Sequence, residues 1–119
     1  MKAARLHEYD GPLSLDSVPE PDLVGPSDVV VRIGGAGLCR TDLHVIEGVW
    51  REKVSVELPY TLGHENAGWV EFAADGVTTV RVGDAVIVHP LVTCGVCPAC
   101  CRGEDMHCAR IQSRGVIVP

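Results

Sequence analysis

Aromatic side chains are scarce in this sequence. Two Trp, two Tyr and one Phe are the only aromatic residues among 119, which is 4% of the chain. A chain of this length buries roughly two thirds of its unfolded surface when it folds, so Val, Ile, Leu and Ala must supply most of the core. The length fits one small domain.

Clusters of positive charge are also missing. The ten Lys and Arg residues are scattered and are outnumbered by 16 Asp and Glu, which gives a formal net charge of -6. Phosphate backbones are bound by clustered Lys and Arg, and helices that lie on membrane surfaces carry a basic face. The composition therefore argues against a nucleic-acid partner and against a membrane partner.

Long apolar runs are missing as well. No run approaches the roughly 18 residues of a membrane span, and the first residues, Met1 to Glu8, lack the apolar block of a secretory signal. We therefore predict a cytoplasmic location.

No apolar stripe of helical period persists over a dozen positions, whereas short runs rich in Val and Ile recur between Gly and Pro residues. This pattern predicts a mainly β chain with five or six short strands, arranged as a barrel or sandwich. Asp10-Gly11-Pro12 predicts the turn of a first hairpin, and residues 34–37 predict a flexible glycine-rich segment. The predicted strands are residues 2–6, 13–18, 28–33, 69–74 and 85–89, and a short helix is predicted over residues 40–48.

Five of the six cysteines lie between Cys94 and Cys108. Four of them, Cys94, Cys97, Cys100 and Cys108, follow one another at spacings of three, three and eight residues. This spacing lets four thiolates converge on one tetrahedral ion in a small loop. Zinc suits a closed four-thiolate shell of structural type, and we predict a zinc-binding lobe over residues 90–112.

The cysteine pattern leaves alternatives to zinc open. Iron is the rival metal, because sulfur ligation alone does not exclude it. In a secreted chain the cysteines would suggest disulfides, but a reducing compartment makes metal binding the better interpretation. Cys101 is interpreted as a free thiol, although it competes with Cys100 for the ligand position.

Two further segments concentrate reactive side chains. One contains Cys39 and the other His64, and a thiolate and an imidazole are both good zinc ligands. Taken alone, a Cys and a His this far apart in sequence are more often a core thiol and a core histidine. The surrounding motifs decide between these interpretations.

These motifs resemble those of the zinc-dependent medium-chain alcohol dehydrogenases, in their N-terminal GroES-like catalytic domain. The resemblance covers essentially all of residues 1–119 and rests on four ordered motifs. They are Gly37-Leu38-Cys39-Arg40-Thr41-Asp42-Leu43-His44, Leu62-Gly63-His64-Glu65-Asn66-Ala67-Gly68, Val82-Gly83-Asp84-Ala85-Val86 and the cysteine lobe. The resemblance implies a GroES-like, partly open β-barrel with short helices and the four-cysteine zinc lobe.

The resemblance also implies a catalytic zinc site. Cys39 and His64 would be two protein ligands of this ion, and Glu65 would lie near it and ligate it transiently. Asp42 would hold the other ring nitrogen of His64 and so fix its tautomer. The alternative for Glu65 is an ordinary surface or helix-capping carboxylate.

Three residues after Cys39 receive roles by the same resemblance. Thr41 would pass the alcohol proton outward, and His44 would carry it towards solvent. Arg40 would contact the pyrophosphate of NAD or NADP, for which a forked cation is suited. The alternatives are a helix cap for Thr41, a solvated helix residue for His44 and a surface residue for Arg40.

The implied reaction is hydride transfer between an alcohol carbon and nicotinamide, with small alcohols, aldehydes or ketones as substrates and zinc as Lewis acid. No G-x-G-x-x-G motif follows a predicted strand. Residues 34–37 are rich in glycine, but their glycines do not have the spacing of this dinucleotide-binding motif. The third ligand of the catalytic zinc lies after the lobe in the family. We therefore expect an incomplete catalytic domain without a dinucleotide-binding domain, inactive alone, with exposed edges that allow a homo-oligomer. The alternative is a zinc-stabilised GroES-like interaction module without catalysis.

Overall fold

The computed structural model describes residues 1–23, 25–49, 51–52 and 56–113. Within them the chain forms short strands joined by turns, with two short α-helices and one 3₁₀ turn at Asp105–His107. The strands are β1 Lys2–Leu6, β2 Leu13–Ser17, β3 Val29–Gly37, β4 Tyr60–Thr61, β5 Glu65–Ala73, β6 Ala85–Val88, β7 Leu91–Val92 and β8 Gln112–Ser113, and the helices are α1 Arg40–Ile46 and α2 Pro98–Cys101.

The strands of the described residues make three antiparallel sheets. The first has the order β2-β1-β4 and the second β3-β5-β6, while β7 and β8 form a two-stranded ribbon. The predicted hairpin is confirmed, since β1 pairs with β2 from Lys2 opposite Ser17 to Leu6 opposite Leu13. Asp10 takes a positive φ of 58° in its turn, a conformation that Asp tolerates better than most residues.

The longest pairing joins β3 and β5, from Val29 opposite Ala73 to Gly37 opposite Glu65. A side chain at position 68 would clash with the backbone carbonyl of Arg32 on the facing strand, so glycine lets the two strands approach. This pairing matters for the site because it brings the end of β3, which leads to Cys39, beside the start of β5, which follows His64.

The glycine-rich residues 34–37 are the main difference from the predicted elements. They continue β3 to Gly37 with an irregularity between Ile33 and Gly35, and do not form a flexible linker. Residues 35–37 pair with β5, which outweighs the low intrinsic strand preference of glycine. Three further predictions are wrong. β5 begins at Glu65 and not at residue 69, and α1 ends at Ile46 and not at residue 48. The described residues contain eight strands, where five or six were predicted.

A small apolar core attaches α1 to the first sheet. Leu6 of β1, Val45 of α1, Val56 and Tyr60 of β4 are all buried and pack together. Tyr9, Ile46, Leu58 and Leu62 pack against this cluster from its margin. The core therefore fixes the helix that carries Thr41, Asp42 and His44.

The longest α-helix of the described residues, α1, has seven residues. A bilayer span needs about 20 residues in a helix, so none of these helices crosses a membrane.

Tyr60 is 3% exposed, and its hydroxyl has no hydrogen-bond partner among the described residues. Replacing it by Phe keeps the ring and removes an unpaired buried polar group. We therefore expect the free energy of unfolding of Tyr60→Phe at neutral pH to be unchanged or higher by up to about 1 kcal/mol. Urea unfolding measures this, and Tyr60→Ala, which empties part of the core, should lose about 3–5 kcal/mol.

The unsubstituted chain and Tyr60→Phe also give a pH test. Burial raises the pKa of Tyr60 to about 12, above the usual value near 10, so the folded state holds this proton more tightly than the unfolded state. Stability should therefore fall as the pH rises from about 10 to about 12. The Tyr60→Phe chain should lack this part of the fall, and identical alkaline curves would contradict the burial of the phenol.

Candidate metal sites

The cysteine lobe begins after β7 and ends before β8. Pro98 occupies the first turn of α2, where a missing N–H costs nothing, and Cys97 precedes it in extended conformation. One turn of helix then brings Cys100 back beside Cys97, and their sulfurs are 3.5 Å apart. The sulfur of Cys94 lies 3.9 Å from that of Cys100. The ligand atoms of these three residues and Cys108 all lie within 4.8 Å of one another.

These distances fit a tetrahedral zinc ion. Zinc–sulfur bonds of about 2.3 Å at tetrahedral angles separate neighbouring sulfurs by roughly 3.8 Å. The two sulfur–sulfur separations given above, 3.5 and 3.9 Å, lie on either side of this value. All four cysteines are buried or half-buried, which suits a closed structural site.

Backbone N–H groups are directed at the sulfurs of the lobe. The N–H of Cys97 donates to the Cys94 sulfur at 3.3 Å, and the N–H of Arg110 donates to the Cys108 sulfur at 3.3 Å. Backbone hydrogen bonds from Val96 and Cys97 lower the pKa of Cys94 to about 6. Loss of solvation and the neighbouring Cys97 thiol raise the pKa of Cys100 to about 11. The lobe therefore stabilises thiolate at its first cysteine before any metal binds.

Cys101 lies outside this group of four. Its side chain is exposed, and its thiol points to the carbonyl oxygen of Val96 at 3.7 Å. The assignment of Cys100, and not Cys101, to the converging set agrees with the geometry.

The second cluster forms where α1 begins. Cys39 is the N-cap residue, and its sulfur accepts a hydrogen bond from the N–H of Thr41 at 3.2 Å. The carboxylate of Asp42 in turn accepts from the N–H of Cys39 at 2.8 Å. This reciprocal capping box fixes the position of the Cys39 sulfur relative to the helix.

His64 meets this helix start from the end of the loop before β5. Its Nε2 lies 3.2 Å from the Cys39 sulfur, and its Nδ1 lies 3.4 Å from Oδ1 of Asp42. Asp42 is fully buried. Neither Asp42 Oδ1 nor His64 Nδ1 forms a hydrogen bond of normal geometry within the described residues. Nδ1 is the ring nitrogen near Asp42, and Nε2 is the one near Cys39. Because a carboxylate oxygen only accepts, we expect the proton of the neutral ring on Nδ1.

The geometry of this cluster also suits zinc. A tetrahedral ion with a zinc–sulfur bond of about 2.3 Å and a zinc–nitrogen bond of about 2.0 Å separates the two ligand atoms by roughly 3.5 Å. The observed 3.2 Å is close to this value. A carboxylate oxygen of Glu65 lies within 4.8 Å of both ligand atoms. A buried carboxylate, Asp42, supplies negative charge behind the imidazole, which a cation offsets.

The remaining predicted residues lie on α1. Arg40 is exposed at its first position, Thr41 follows it half-buried, and His44 is half-buried one turn later. The structure thus brings Thr41 beside the Cys39 sulfur, through its N–H, and leaves Arg40 facing solvent.

Glu47 is a residue that the sequence analysis did not include. Its Oε2 lies 3.5 Å from Nδ1 of His44. The three-residue spacing of an acidic and a potentially basic side chain on a predicted helix is the signal that indicates such a contact.

Comparisons with known proteins agree with this fold and site. The family model described as the alcohol dehydrogenase GroES-like domain matches residues 25–117. The crystal structure of the alcohol dehydrogenase from the hyperthermophilic archaeon Aeropyrum pernix superposes with a TM-score of 0.92 at 53% identity, over 99% of this chain and 34% of that chain. A zinc-dependent alcohol dehydrogenase from Streptococcus pneumoniae superposes with a TM-score of 0.80 at 33% identity, over 92% of this chain and 30% of that chain. The NAD-dependent alcohol dehydrogenase of Sulfurisphaera tokodaii is 40% identical over 113 residues, which cover 91% of this chain and 32% of the relative.

The chain belongs to the alcohol dehydrogenase GroES-like domain family. The predicted class, a mainly β GroES-like fold with short helices and a cysteine lobe, is confirmed. The chain spans about a third of the length of the curated relatives it matches.

The contact between Asp42 and His64 gives a test of the tautomer. In Asp42→Asn the amide oxygen can still accept from the Cys39 N–H, while the amide NH₂ faces His64 Nδ1. A donor at that position favours an unprotonated Nδ1, so the proton of the neutral ring should move to Nε2. NMR shifts of the ring nitrogens measure this change.

Asp42→Ala is the matched control for stability. It should lose about 1–3 kcal/mol, because the Cys39 N–H is left without its cap, whereas Asp42→Asn should unfold close to the unsubstituted chain. If His64 keeps its proton on Nδ1 in Asp42→Asn, the orienting role of Asp42 is wrong.

Proposed function

We propose that this chain is the zinc-binding part of the catalytic domain of an NAD(P)-dependent alcohol dehydrogenase. The observation that carries the proposal is the convergence of the Cys39 sulfur, His64 Nε2 and a Glu65 carboxylate oxygen within 4.8 Å of one another. Residues 1–119 form the GroES-like domain portion, and residues 90–112 form its structural zinc lobe through Cys94, Cys97, Cys100 and Cys108. The dinucleotide-binding part belongs to the longer protein.

Cys39 and His64, with Glu65 beside them, would hold the zinc ion, which would supply a Lewis acid for the oxygen of a small alcohol, aldehyde or ketone, while NAD or NADP would supply the hydride acceptor or donor. The capping box holds the Cys39 sulfur in place, and Asp42 keeps the proton of His64 on Nδ1 so that Nε2 is free to bind. The capping box and Asp42 act before substrate binds, because they fix the positions of the Cys39 sulfur and His64 Nε2.

Proton movement is assigned to α1. The N–H of Thr41 contacts the Cys39 sulfur. The hydroxyl of Thr41 accepts the alcohol proton as it gives up its own, and His44 takes the released proton and passes it towards solvent. His44 is half-buried, and Oε2 of Glu47 lies 3.5 Å from its Nδ1. Arg40, exposed at the start of α1, contacts the pyrophosphate of the dinucleotide.

The alternative, a zinc-stabilised interaction module, needs only the cysteine lobe. It gives no reason for Cys39, His64 and Glu65 to converge, so the second cluster favours the enzyme. The clustering of five thiols in one segment supports a reducing, cytoplasmic location. The exposed apolar side chains of β5 and β6, Trp69, Phe72 and Ile87, support contacts with the rest of the longer protein or with a second copy.

Zinc content tests both sites. We expect about two zinc ions per molecule of the longer protein after purification in zinc-containing medium, and one tightly bound ion in the 119-residue chain, which lacks the third ligand of the second site. Cys94→Ser should lose the lobe ion and lower the thermal stability of residues 90–112, because metal binding contributes to folding of such lobes. Cys101→Ser is the matched control on the same lobe and should keep both ions. One ion in both variants would contradict the assignment of the lobe ligands.

Activity tests the function itself. The longer protein should oxidise a short primary or secondary alcohol with NAD or NADP, followed by the absorbance of reduced nicotinamide. His64→Ala should abolish the turnover, whereas Cys101→Ser should leave it unchanged. The 119-residue chain alone should be inactive. A longer protein that binds two zinc ions but turns over no alcohol, aldehyde or ketone would favour the interaction module.

A further inference from the structure

Gly37 and Glu65 face each other across the β3–β5 pairing. Side chains at directly opposed positions of an antiparallel pair lie on the same side of the sheet. Gly37 has no side chain, and the carboxylate of Glu65 occupies that space. A methyl group built on Gly37 would lie 2.5 Å from Oε2 of Glu65 and 3.0 Å from its Cβ.

This space lies directly beside the metal cluster. Gly37 is two residues before Cys39, and Glu65 directly follows His64. In the conformation that brings a carboxylate oxygen of Glu65 within 4.8 Å of the other two ligand atoms, Oε2 lies where a side chain at position 37 would be. An added methyl group at position 37 would come nearest to the carboxylate oxygen at the flexible end of Glu65, and second nearest to its Cβ, which the backbone of β5 fixes.

We infer that Gly37 is a positioning residue of the metal site: the absence of its side chain holds open the place from which Glu65 reaches the ion. The inference rests on the metal site proposed above and adds a requirement at a residue that carries no ligand atom. The inference applies to Gly37 and not to Gly35, because a methyl group built on Gly35 meets no atom within 4 Å. Neither glycine has a positive φ, so alanine fits the backbone at both positions.

Gly37→Ala and Gly35→Ala are therefore a matched pair of glycine-to-alanine changes on one strand. The affinity of the Cys39–His64–Glu65 site is measured in the full-length protein by zinc competition with a chromophoric chelator, after the lobe site has been filled. Gly37→Ala should weaken zinc binding about ten- to a hundredfold, the range seen when groups that orient ligands are removed. Gly35→Ala should bind as the unsubstituted protein does. Cobalt in place of zinc reports the same loss through its absorption spectrum, without any enzyme assay.

A double-substitution cycle shows whether Gly37 acts through Glu65. In a Glu65→Ala background the carboxylate is gone, so adding Gly37→Ala should change zinc affinity by less than about threefold. An equal loss with and without Glu65 would overturn the inference, because Gly37 would then act on the strand itself. Equal affinities of Gly37→Ala and the unsubstituted protein would also overturn it.

Two controls separate this inference from the proposed function. Circular dichroism and thermal unfolding of each variant show whether the fold is kept. A Gly37→Ala protein that unfolds while Gly35→Ala stays folded would overturn the inference, because the added methyl group would then act on the strand pair and not on the Glu65 carboxylate. An unsubstituted protein that binds zinc in the lobe alone would overturn the proposed site and the inference together. Two bound zinc ions, with weaker zinc binding in Gly37→Ala than in Gly35→Ala, would support the proposed site and the inference. Two bound zinc ions with equal affinities in these two variants would overturn the inference alone.

Discussion

The buried carboxylate of Asp42 connects the two halves of the second cluster. One oxygen accepts the N–H of Cys39 at 2.8 Å, and the other faces Nδ1 of His64 at 3.4 Å. A single side chain thus caps the start of α1 beside the Cys39 sulfur and also lies against the imidazole of His64. A fully buried, charged carboxylate is costly unless it is compensated. A cation held by Cys39 and His64 would offset that cost, so the proposed metal site and the start of α1 are linked through this one side chain.

The rest of the fold serves to hold these groups in register. The core of Leu6, Val45, Val56 and Tyr60 attaches α1 to the first sheet. The long pairing of β3 with β5 brings the chain before Cys39 alongside the chain after His64. Residues 25 positions apart in sequence therefore meet because one strand pair ends beside them and one small core fixes the helix between them. This arrangement agrees with the general placement of functional groups on loops that rigid elements support.

The sequence alone predicted the hairpin of β1 and β2, the short helix after Cys39 and the four cysteines of the lobe. The hairpin and the lobe have local signals, a turn triplet and a fixed ligand spacing. The extension of β3 through the glycines was not predictable in this way, because it depends on pairing with β5 and not on the residues of the segment. Glu47 beside His44 was overlooked although its spacing was visible. That Gly37 lies opposite Glu65 depends on the register of two strands far apart in sequence, and no local sequence pattern predicts this register.

The ribbon of β7 and β8 closes the cysteine lobe at its base. Leu91 pairs with Ser113, and Val92 with Gln112, so the chain leaves the domain and returns to it at nearly the same point. Within the lobe, α2 contacts the 3₁₀ turn that follows it. The lobe is therefore a long loop whose two ends lie side by side. A short turn could replace it without redirecting the chain on either side. In evolutionary terms, a module attached in this way can be gained, lost or reshaped while the neighbouring sheets and the Cys39–His64 cluster keep their geometry.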